Sequence, residues 1–160
     1  MKLYTTLNLI REHGPCESGW RKLLKHLGET HGNDDRIDFA AILESNGLDD
    51  ALWALRAVLP EQEADRDRLA RLFACDCVET ALQYWEKEFP DDRRPHEAIA
   101  VSRRFAVGEA TDEELAAARA AAWDAARDAA KVRFHRYFCE EGDPSAATVT
   151  DLAGAREDGR

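Results

Sequence analysis

The chain holds no apolar stretch approaching the roughly 20 residues that a membrane-spanning helix needs. Motifs that carry chemistry are missing too: there is no Gly-rich phosphate loop, nucleophile elbow or His-Glu helix motif. Strand-like alternation is nearly absent and no self-similar period recurs, which argues against β architectures and solenoids. Among five histidines, neither His13 with Cys16 nor His26 with His31 has the spacing of zinc ligands. No metal, cofactor or catalytic group is therefore expected. The four cysteines do not make a disulfide framework. Cys75 and Cys77 sit two apart in a helical segment and point in different directions, and Cys16 can meet Cys139 only if the two ends of the chain do. Buried, reduced thiols in a bacterial cytosol are the expectation. Positive charge is also scarce. The 22 basic side chains face 32 acidic ones, a net charge of -10, and such a field repels nucleic acid and membrane surfaces while favouring basic protein clefts.

What is present is helical periodicity almost everywhere, so the expected fold is all-α: a bundle of about six to seven helices in 160 residues, with an acidic tail. The opening MKLYTTLNLIREHG is broken by Thr, Asn and Arg and lacks a small-residue cleavage site, so it reads as a structural helix. Helices are predicted over about 6–13 and 16–27, the second stopped by Gly28. Further ones follow over 38–45, from Leu48 to Leu59 before Pro60, and over 61–89. The broad apolar pattern of that last helix, from Leu69 through Phe73, Cys77 and Val78 to Trp85, suggests contact from several sides. Pro95 suits a first helical position, and Thr111 with Glu114 forms a capping box that starts an Ala-rich helix to about Phe138.

Charge is unevenly placed. Residues 1–28 carry a net of +3, whereas residues 29–50 hold seven acids and one base. The acids of this block are Glu29, Asp34, Asp35, Asp38, Glu44, Asp49 and Asp50, with Trp53 just beyond. Carboxylates also cap helices and cover solvated faces, so each has an ordinary structural explanation. The functional reading pools them as a partner-binding acidic face with Trp53 as its anchor. One helix with an acid per turn offers a charge every ~5.4 Å against one per ~1.7 Å of duplex, so imitating DNA would take several elements. Trp20, Trp53, Trp85 and Trp123 fall at core spacing and read first as packing. Asp76, expected to be partly buried, and His96 are the residues an enzymatic reading would use. A structural tie of Asp76 to Arg71, Arg103 or Arg104 is preferred, and the chain is read as no enzyme.

The segment SNGLDDALW at 45–53 resembles small phage and prophage proteins. RLARLFACDCVETAL, followed by DDRRPHEAIAVSRR and the Ala-rich helix, resembles a helical immunity-protein domain. Together these cover about residues 45–130. The resemblance implies an all-helical, non-enzymatic protein from a phage–host or toxin–inhibitor setting. Size and acidity are also similar to small anti-CRISPR proteins, which implies binding to a type I CRISPR effector complex, type I-C among them, and blocking of target DNA by mimicry. An immunity protein neutralising a basic toxin or nuclease is the alternative. The expected organisation is an N-terminal helical hairpin and acidic loop over 1–37, an immunity-like bundle over 38–140 packed with it as one domain, and a tail over 141–160. The chain is expected to act as a monomer.

Overall fold

The computed structural model describes residues 2–139, and the expected tail lies outside them. Seven α-helices, two 3-10 turns and two strands of two residues each make up the regular structure among the described residues, so the fold is all-α as expected. None of these helices is long and apolar enough to cross a membrane. The chain divides into two compact units, Met1–Ala74 and a second beginning at Cys75.

In the first unit, β1 (Tyr4–Thr5) leads into α1 (Leu7–Glu12), whose cap is Thr6: its hydroxyl accepts the Leu9 amide at 3.1 Å. Helix α2 (Glu17–Leu27) closes at Gly28. Next, β2 (Ile37–Asp38) pairs antiparallel with β1, Tyr4 opposite Asp38 and Thr5 opposite Ile37. Helices α3 (Phe39–Asn46) and α4 (Leu48–Ala54) meet at Gly47, where φ is 94°. Only glycine adopts that conformation cheaply, so one residue ends α3 and begins α4.

The predicted helix to Leu59 stops early, with a 3-10 turn over Leu55–Ala57 after α4. The cause is tertiary. Val58 turns extended to bridge Thr5, and the Leu59 amide donates to the Tyr4 carbonyl at 2.9 Å. The core gathers Leu7, Ile10, Leu23, Ile37 and Ile42 with small residues of and after α4, Ala51, Ala54 and Ala57. Thr5 is fully buried, but its hydroxyl donates to the Ala57 carbonyl and so carries no desolvation penalty.

Helix α5 (Glu63–Glu88) begins after a second 3-10 turn, Pro60–Gln62, and the division between the units falls within it. In the second unit it buries one stripe, Cys75 and Leu82, seven residues or about two turns apart. The expected contact from several sides is not found there: Cys77 and Val78 are exposed, as is Phe73 in the first unit. Helix α6 (Arg94–Ala106) places Ile99 against that stripe and packs along α7 (Asp112–Phe138). The predicted capping box starts α7: the Thr111 hydroxyl accepts the Glu114 amide at 3.2 Å, and the Thr111 amide donates to Glu114 Oε2 at 2.8 Å. Leu115, Ala125 and Ala129 form its buried stripe. Trp123 lies off that stripe and is 67% exposed, contrary to its core reading. The cysteine expectation also needs correction, because Cys75 alone is buried while Cys16, Cys77 and Cys139 are exposed.

Candidate functional site

The acidic block lies within the first unit, and its members have different local tasks. Asp38 caps α3, accepting the Ala41 amide at 3.0 Å, and pairs with Lys2 at 2.6 Å. The Lys2 hydrogen bond, followed by the backbone amide, holds the Asp38 carboxyl below its ordinary range. Asp34 accepts the Asn8 side-chain amide at 2.9 Å. Glu29 is half-buried, its backbone amide bonded to the Leu24 carbonyl just past the end of α2. Asp35, Glu44 and Asp49 are exposed. None of these last three forms an ion pair with another described residue.

Helix α4 points two ways. One flank carries Leu48, Leu52 and Leu55 to an apolar groove of about 480 Å³ shared with Leu43 and Phe73. Leu43, Leu48 and Leu52 are 49%, 54% and 42% exposed, and the exposed acids Glu44 and Asp49 follow Leu43 and Leu48 directly. The other flank carries Asp50, Trp53 and Ala54 to a smaller cavity of about 130 Å³, walled by Trp20, Leu23 and Ile42. Of the eight residues singled out in the sequence, Asp50 and Trp53 are thus brought to one cavity. Glu44 and Asp49 stand beside the groove leucines in the chain.

Asp50 Oδ2 accepts the Asn46 side-chain amide at 2.7 Å, and the same amide donates to the Gly19 carbonyl at 2.9 Å. Asn46, Gly19 and Cys16 were not singled out as binding residues in the sequence. The available signal was the spacing of Asn46 and Asp50, four residues apart, which places them on adjoining turns. Cys16 caps α2 through its sulfur, which accepts the Gly19 amide at 3.3 Å. The Ser18 hydroxyl, and then that amide, pull its thiol pKa below the ordinary value, against the opposing charge of Asp50. Trp53 carries the Arg56 guanidinium 4.6 Å from its ring centre, so its indole already supports a cation.

In the second unit most charge is spent internally. Arg103 grips Asp76 at 2.6 Å and Glu79 at 2.7 Å; Arg94 joins Asp92 and Asp128; Arg133 and Arg136 share Glu88. Asp76 is exposed, contrary to the expected partial burial, and Arg103 is its partner. His96 binds Glu86 through Nε2 at 2.7 Å. Asp76 and Glu86 lie ten residues apart on α5, about 15 Å along its axis, so the two residues of the enzymatic reading have separate partners. No group of three metal-ligating side chains is assembled among the described residues.

No curated protein and no solved structure matches the chain. A family profile, described as Imm-5 like putative immunity protein, matches residues 61–149. That span begins after the acidic block, the groove leucines of α3 and α4, and the cavity residues, and it takes in α5, α6 and α7. Since it covers more than half of the sequence, the chain belongs to the Imm-5 like putative immunity protein family.

Proposed function

We propose that the protein is an inhibitory binder of the immunity type, which neutralises a basic toxin by covering it with the α3–α4 face of the first unit. The observation that carries this reading is the succession of exposed leucines and exposed acids on that face: Leu43 then Glu44, Leu48 then Asp49, with Leu52 one turn further. Stable interfaces combine an apolar centre with a polar rim, and complementary charge speeds encounter with a basic partner. The family supports the immunity setting. The acidic face lies outside the matched span and is the part available for choosing a particular partner.

A second reading places the same acids in the DNA channel of a type I CRISPR effector complex. What favours it is the seven acids of residues 29–50, the densest acidic block described. The deciding experiment offers the purified protein to a basic nuclease toxin and to a type I complex. It follows toxin activity in the first case and a target-DNA gel shift in the second. Toxin inhibition supports the immunity reading; loss of the DNA shift supports the second. In either case the triple variant Asp35→Lys, Glu44→Lys, Asp49→Lys should weaken binding at least about tenfold, an energy of about 1.4 kcal/mol. Unchanged affinity in that variant would remove the acidic face from the mechanism.

A further inference from the structure

We infer that the cavity between α2 and α4 is a binding site for a primary alkylammonium group. Its walls are apolar and aromatic: Trp20, Leu23, Ile42 and Trp53 among them, around a space of about 130 Å³. Such walls suit a methylene stem, and the indole of Trp20 can attract the cation at its end, since Trp53 already carries Arg56. One full charge lines the space, the carboxylate of half-buried Asp50. Asn46 fixes it by bonding Oδ2, and the Asn46 amide is then used up between Asp50 and the Gly19 carbonyl.

The second oxygen, Oδ1, accepts no hydrogen bond from any described side chain. That oxygen can take an ammonium, a compact point charge that one acceptor can serve. Gly19 keeps the site open. A Cβ there would stand 2.9 Å from Asp50 Oδ2 and 3.1 Å from Cys16 Sγ, displacing the carboxylate.

The assignment stands apart from the proposed function, since a free amine and a lysine side chain of a bound protein both supply the group. The test titrates n-butylammonium chloride into the full chain and follows the four indole N–H signals by NMR. Trp85 and Trp123, in the second unit, serve as internal references. Saturable shifts are expected at Trp20 and Trp53 alone, in the millimolar range that suits so small a ligand. Affinity should be at least about tenfold weaker for 1-butanol, which has the same shape without charge, and for Asp50→Asn, a difference of about 1.4 kcal/mol.

Gly19→Ala provides a second variant that favours helix α2 while crowding the site. It should weaken binding too, whereas Glu63→Gln, at an exposed acid outside the cavity lining, should leave it intact. A short glycine peptide with one central lysine then separates the sources. Binding equal to butylammonium supports a partner's lysine, and butylammonium binding alone supports a free amine. Equal affinity for 1-butanol, an unaffected Asp50→Asn variant, or no saturable shift would overturn the site.

Discussion

The two units draw on a similar abundance of charge but lean on it to different degrees. In the second, Arg94, Arg103 and Arg133 each clasp carboxylates of neighbouring segments, while buried apolar side chains are fewer than in the first. In the first, a contiguous core of Leu7, Ile10, Leu23 and Ile42 supplies cohesion, and Asp35, Glu44 and Asp49 are left to solvent. The difference shows what a carboxylate count hides. Acids matched to nearby arginines hold helices in register, and acids set on an independently packed scaffold can serve a partner.

The strongest challenge to this contrast is Leu7→Ala. Leu7 is fully buried in the first unit, so its truncation should cost about 3 kcal/mol in urea unfolding followed by circular dichroism. A loss below about 1 kcal/mol would show that the core is not what holds that unit. Next in size is Thr111→Ala, which removes the α7 capping box and should cost about 1 kcal/mol by thermal melting.

Glu88→Gln should cost less than about 1 kcal/mol, because solvent reaches the ion pair. It sharpens the comparison through pH. The Arg133 hydrogen bond, then the charges of Arg133 and Arg136, hold the Glu88 carboxyl below its ordinary value of 4.5. A folded value below the unfolded one gives stability that is complete above the unfolded pKa and is lost as pH falls through the folded one. Melting temperature should therefore decline below about pH 4.5, and the Gln variant should decline less. Smallest of all should be the stability change in the triple lysine variant of Asp35, Glu44 and Asp49, within about 0.5 kcal/mol, since these exposed groups form no ion pair among the described residues. A larger loss would mean that those acids support the fold.

Much of the helical layout was legible in the sequence because its signals are local. The stop at Gly28, the break between the helix ending at residue 45 and the one starting at Leu48, and the Thr111–Glu114 box each require only neighbours along the chain. What could not be read depends on distant segments. Two-residue strands have no period to detect, and the early end of α4 follows from Val58 meeting Thr5. Trp123 looked like core because its spacing is helical, yet the buried face of α7 runs through Leu115, Ala125 and Ala129. Where small residues form the contact, a large aromatic need not mark the inner side. Of the candidate site, the acids and Trp53 were visible, but not the opposite flanks of α4 that send Leu48 and Leu52 one way and Asp50 and Trp53 the other.

The short strand β1 has a further consequence, for folding kinetics. Tyr4 donates its amide to the Gln62 side chain across 58 residues, and Thr5 bonds Ala57 across 52. Such long-range closures raise contact order and slow the search for the native state. On the ribosome, α1, α2 and α3 are too short to be stable alone as they emerge, and their strand has its full set of partners only after residue 62 has been added. The first unit should therefore lock late, in one step that its own opening residues must wait for.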